Sequence, residues 1–163
     1  MDYVCLDQEG YLTLHERFQD NGVTKLRKGK RFCYVDGKHI KLDGEAGMEG
    51  RTKLSVADWD RDADWDIIYG TFHGRVMYME NVGSNDQPLF TYPRPLLTIN
   101  GQPIKLGTHS AAPEAVDWDE DGIVDLIVGA EDGRILYFHR SYLAVEKNEI
   151  NKNEWIILSV ENR

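Results

Sequence analysis

The segment DWDEDGIVDLIVGAEDGRILYF, residues 117–138, decides the reading of this chain. Asp117, Asp119 and Asp121 alternate over five residues, Gly122 follows, and Asp125 closes the motif at its ninth position. The apolar run LIVGA comes next, then the turn signal EDG and a second apolar and aromatic run, RILYF. Short runs rich in β-branched and aromatic residues between turn signals predict strands, so the segment reads as an acidic loop feeding a β-hairpin.

The same pattern stands upstream. Residues 56–79 align without a gap on residues 115–138 and are identical at ten of 24 positions, where unrelated segments would share roughly one or two. A third copy begins partway through, because DYVCLDQEGYLTLH from Asp2 follows DLIVGAEDGRILYF from Asp125, with Gly10 answering Gly74 and Gly133. A second landmark repeats as well: VDGKHIKL (35–42) answers INGQPIKL (99–106). Whole units of about 60 residues therefore recur, in the order strand, acidic loop, strand, tight turn, strand and a longer outer segment. In the second unit the strands are expected at 54–57, 66–70 and 75–80, with a turn at Phe72-His73-Gly74. The fourth is expected in LFTYPRPLLTINGQPIKL.

A four-stranded antiparallel meander repeated at fixed spacing predicts an all-β chain built of β-propeller blades. The expected units are a partial blade at 1–50 lacking its first strand and loop, a blade at 51–108, and a blade at 109–163. WIILSV (155–160) is expected as a last strand that closes the third. Even four such blades need roughly 240 residues, so this partial propeller is expected to join missing blades of a longer chain or other copies of itself.

The acidic loops carry the chemistry. Ca²⁺ takes six to eight oxygen ligands, and alternating aspartates in a tight loop turn several carboxylates inward while a backbone carbonyl supplies another place. Asp117, Asp119, Asp121 and Asp125, with the carbonyl of Ile123, form one expected site. Asp58, Asp60, Asp62 and Asp66, with the carbonyl of Asp64, form the other. Gly122 permits a left-handed turn where the first loop has Ala63, which costs on the order of 1 kcal/mol if φ is positive there. The 117–125 site is therefore expected to be the stronger. An EF-hand is excluded, because its twelfth position is a bidentate Glu and these loops have Tyr69 and Val128 there, inside expected strands. The competing reading is of Asp-rich turns that merely cap hairpins.

On these residues the chain resembles the FG-GAP, or VCBS-type, repeat family, whose aspartate loop, following strand and glycine turn match residues 58–79 and 117–138. The resemblance implies a propeller of about seven blades, as in integrin α-subunit heads, with calcium stiffening the hairpins and taking no part in catalysis. It also implies an extracellular or cell-surface setting.

The remaining composition narrows the partners. A formal charge of -9, with nine aspartates in the two loops, argues against nucleic acid, whose binders cluster Lys and Arg. No run is long and apolar enough for membrane insertion. Cys5 and Cys33 are too few and too far apart for a zinc knuckle, and buried free thiols are expected over a disulfide. In an up-and-down blade the 2-3 turns and inter-blade connections gather on the face away from the loops. There His73 and His109 are expected to approach one another, with Arg51 nearby. That face is expected to bind a glycan or a protein. The alternative is part of a propeller-type polysaccharide lyase acting on uronate glycans, with His73 or His109 as base and Arg51 neutralising a carboxylate. Trp59 and Trp118 are expected as wedges between blades, and Tyr78 and Tyr137 as core or blade-contact residues.

Overall fold

The computed structural model describes residues 2–42 and 52–144. Arg51 and the strand expected at 155–160 lie outside them. The chain is all-β, with one short 3-10 turn at Arg140–Tyr142 and no α-helix among the described residues. Among the described residues the strands form several small sheets, none of them closed into a barrel.

The second unit holds the largest sheet. Strands β7 (Lys53–Ala57), β8 (Asp66–Gly70) and β9 (Val76–Met79) pair antiparallel, as the alternating sequence requires, and β11 (Arg94–Pro95) adds to the outer edge of β9. The third unit repeats the first three strands as β12 (Ala111–Val116), β13 (Asp125–Ala130) and β14 (Ile135–Phe138). Among its described residues the first unit has the equivalents of the second and third strands, β1 (Tyr3–Leu6) and β2 (Leu12–His15), with β5 (Lys30–Arg31) on the far side of β2. A separate hairpin, β3 (Arg17–Asp20) with β4 (Val23–Leu26), turns on Asn21 and Gly22, both at positive φ. The units are not uniform meanders. The expected fourth strand is broken into two-residue pieces, since Pro93 and Pro95 remove backbone donors there. The piece β10 (Leu89–Phe90) pairs parallel with β6 (Cys33–Tyr34) of the first unit, and through Phe90 bridges antiparallel to Asn81 just past β9.

Period-two alternation assigns the two faces of each sheet to different neighbours. Val4, Leu6, Leu12 and Leu14 of the first unit pack with Ile67, Tyr69, Met77 and Met79 of the second. The opposite row of the second unit, Ile68, Val76 and Tyr78 with Trp59, packs with Leu126, Val128, Leu136 and Phe138 of the third. Gly70 lets the sheets approach, because a Cβ there would overlap the carbonyl oxygen of Ala111. Gly74 serves a close approach within the second unit, at the turn, where φ is 73° and a Cβ would meet the carbonyl oxygen of Thr108.

The third unit shows its corresponding row to solvent. Val76 is 0% exposed and its counterpart Ile135 is 77%; Tyr78 is 4% and Tyr137 45%; Trp59 is 1% and Trp118 63%. Trp59 is thus the expected wedge, held under the Arg140 guanidinium of the third unit at 3.9 Å, with Arg140 also donating to the Trp59 carbonyl oxygen. Trp118 is not, because its ring stands open to solvent among the described residues. Cys5 and Cys33 are free thiols, half-buried rather than fully buried.

Candidate metal centre

The two acidic loops fold by the same local hydrogen bonds. Short Asp side chains accept amides two to five residues ahead, which bends the backbone into consecutive Asx turns. Asp58 Oδ2 accepts the amide of Ala63 and Asp117 Oδ2 that of Gly122, at 3.2 and 2.9 Å. Asp60 accepts from Asp62 and Asp119 from Asp121; Asp62 accepts from Asp64 and Asp121 from Ile123. Both loops need positive φ at the sixth position, 84° at Gly122 and 74° at Ala63.

The last aspartate of each loop is buried and joins the loop to its sheet. Asp66 accepts the amides of Trp59 and Asn81 and the hydroxyl of Tyr78 at 3.1, 2.8 and 3.0 Å. Asp125 accepts the amide of Arg140 and the hydroxyl of Tyr137 at 2.7 and 2.8 Å. Asp2 accepts the amide of Arg17 at 2.8 Å, again 15 residues ahead. Burial pushes the Asp66 carboxyl up to about 7; the charge of Asp60 adds to this, and the hydrogen bonds oppose it. Burial and the neighbouring charges of Asp62 and Asp58 likewise raise Asp60. Both shifts report carboxylates crowded in partly dry surroundings, an arrangement that a cation relieves.

Carboxylate oxygens of Asp58, Asp60 and Asp62 lie within 4.8 Å of one another. Oδ1 of Asp58 and Oδ1 of Asp117, the same atom in the two loops, are shielded from water and have no hydrogen-bond partner. Such orphan acceptors fit a donor set lacking its cation, since a buried oxygen without a partner is costly. The residues present therefore fit a hard divalent ion in the first loop, with Asp58, Asp60 and Asp62 holding it. Asp64 does not turn its side chain to that cluster: its Oδ1 accepts the amide of Asn85, which also donates to the Ala63 carbonyl and accepts from Trp65.

In the second loop the gathered ligand atoms belong to Asp119, Asp121 and His139, with His139 Nε2 3.1 Å from Asp119 Oδ2. The amide of Ser141 donates to His139 Nδ1, which fixes the ring over the loop. His139 stands at the far end of the hairpin that Asp125 opens, and only the return of β14 beside β13 brings it to the site. No local spacing signals it.

On the other histidines, the structure places Phe72 against both rings. His109 stacks on Phe72 with centroids 5.0 Å apart, and His73 meets it edge-on at 5.5 Å. Both histidines are exposed. Among the described residues no helix is long and apolar enough to cross a membrane. Searches of protein-family models, curated proteins and solved structures match nothing to this chain.

Proposed function

We propose that this chain is a run of calcium-stabilised β-propeller blades of the FG-GAP type, serving as a binding module in a secreted or surface-exposed protein. The observation that carries the reading is what the two loops share: the sixth residue's amide held by the first aspartate, a buried last aspartate, and the same orphan oxygen on Asp58 and Asp117. Calcium completes those donor sets and stiffens the hairpins, and the glycan or protein ligand binds where Phe72, His73 and His109 gather. Millimolar extracellular calcium suits loops of this ligand count.

Calorimetric titration of the chain with calcium should give two sites, the tighter in 117–125. Ala63→Gly should tighten the weaker one, because relieving about 1 kcal/mol of left-handed strain corresponds to about a fivefold gain in affinity if the strain is greater in the bound loop. An absence of any calcium-dependent heat would overturn the reading.

The enzyme alternative separates at the opposite face. With His73 and His109 both changed to Ala, a binding module keeps its ligand and loses about 1 kcal/mol at most. A uronate lyase would lose roughly a hundredfold in rate while still binding substrate. Absorbance from unsaturated product, followed on acidic polysaccharides alongside glycan binding, distinguishes the two. Cleavage that disappears in the double variant would replace the module by the enzyme.

A further inference from the structure

One residue outside the first acidic loop holds three residues in it. Asn85 lies on the connection that leaves β9. Its side-chain amide donates to the Ala63 carbonyl at 2.9 Å, its side-chain oxygen accepts the amide of Trp65 at 2.7 Å, and its own backbone amide donates to Asp64 Oδ1 at 3.0 Å. The bond to Trp65 acts beyond the atoms that make it. A trans peptide unit is planar with its N–H and C=O opposed, so fixing the Trp65 amide toward Asn85 turns the Asp64 carbonyl away from it. That carbonyl stands at the seventh position of the loop, where a calcium loop uses a backbone oxygen. Asn85 also braces the carbonyl of Ala63, a non-glycine residue at positive φ. The second loop is built otherwise: Ala144 stands as far beyond Asn85 as Asp117 beyond Asp58, and among the described residues no side chain takes the amide of Val124, the counterpart of Trp65.

The connection that carries Asn85 runs on to the first unit. Its root is pinned to the last aspartate of the loop, since the Asn81 amide donates to Asp66 and Asn81 Oδ1 accepts the amides of Gly83 and Leu89. Its far end is β10, where the Phe90 carbonyl accepts the amide of Val35. Just beyond, the Tyr92 ring stacks on Tyr34 at 4.2 Å and its hydroxyl donates to Asp36 at 2.9 Å. A single short segment therefore grips the acidic loop at one end and the first unit at the other.

We infer that Asn85 is a positioning residue for the first cation site, aiming the Asp64 carbonyl, and that through it an ion in the first loop firms the seat of the first unit on the second. The inference rests on the reading of that loop as a calcium site. Linkage makes the effect reciprocal: an ion that favours the clamped loop favours the docked segment, and the docked segment favours the ion by the same factor.

The test uses the full chain carrying Asp119→Ala and Asp121→Ala, which leaves the first loop to take calcium. Adding Asn85→Ala to this parent should weaken the calorimetric calcium affinity about fivefold to tenfold, the worth of one well-made hydrogen bond. Tm in chelator should move by about 2 °C at most, as for other exposed substitutions. Calcium should slow hydrogen exchange at the Val35 amide in the parent and not in the Asn85 variant. Asp64→Ala, which frees Asn85 from the loop side, should act in the same direction and serves if Asn85→Ala disturbs the fold. Calcium bound as tightly without Asn85, or Val35 slowed equally in both chains, overturns the inference while the calcium reading stands. A loss of Tm in chelator as large as that in calcium also overturns it, leaving Asn85 a structural residue only. No calcium heat from the parent overturns the reading of the loop and the inference with it.

Discussion

Trp59→Ala is expected to destabilise the fold by about 3 to 5 kcal/mol, while Trp118→Ala at the same position of the next unit changes it by about 0.5 kcal/mol or less. The two tryptophans have the same immediate neighbours in sequence, an aspartate on each side. Their surroundings differ because Trp59 is sealed by the third unit and Trp118 faces solvent. Removing the Trp59 ring opens a cavity in the larger core cluster. It also leaves the Arg140 guanidinium, already half-desolvated with one unpartnered nitrogen, without its aromatic platform. Urea unfolding should show the midpoint falling sharply for Trp59→Ala at an unchanged slope, and almost no movement for Trp118→Ala. Equal losses at the two positions would mean that the third unit's outer row is covered in solution.

Calcium should stabilise the chain, and Asp119→Ala with Asp121→Ala should remove most of the effect. The carboxylates converge only in the folded loops, so a metal held there would bind the native state and raise stability by mass action, by about 2.7 kcal/mol for a site held at a hundredfold excess over its Kd. For a chain of this size each kcal/mol moves Tm by about 2 to 4 °C. Thermal unfolding in calcium and in chelator should therefore differ by several degrees, and the double variant should show only the smaller shift of the first loop. His139→Ala checks the second loop independently. If the ring takes part in holding the ion, the variant loses affinity there while the first loop is unaffected. Indifference of Tm to both calcium and chelator would return the loops to the competing reading of capped turns.

What was legible in the sequence was local. Alternating aspartates two apart can only bend the chain on themselves, and their Asx turns stand where the spacing predicts. The run from Asp66 to Gly70 is a strand over its expected bounds, because five successive residues buried on both faces need no distant partner to be recognised. What the sequence did not disclose depends on register. The hydroxyls of Tyr78 and Tyr137 reach Asp66 and Asp125 only because β9 and β14 return beside β8 and β13. Asn85 clamps the first loop from the far side of the β8–β9 hairpin, and His139 arrives at the second from the end of a strand. The broken outer strand was obscured differently: TYPRPLL has strand-like aromatic and branched residues, yet its prolines limit the ladder to fragments. The contrast between Trp59 and Trp118 was invisible, since like residues in like contexts differ only in what packs on them.

The amides received by Asp2, Asp66 and Asp125, each 15 residues ahead, also set where the chain tolerates a change in length. Each of these carboxylates closes its hairpin into a ring of fixed circumference, so an added residue within it must either bulge the sheet or free the carboxylate. The two copies of the outer landmark respect that limit: Val35 follows Asp2 at the same interval in sequence as Ile99 follows Asp66. The slack appears elsewhere. The stretch from Leu42 to Asp58 is longer than its counterpart from Leu106 to Asp117. Insertions, tags or grafted epitopes therefore belong between Leu42 and Lys53, where the chain has already varied its own length, and not between a loop's last aspartate and its amide donor.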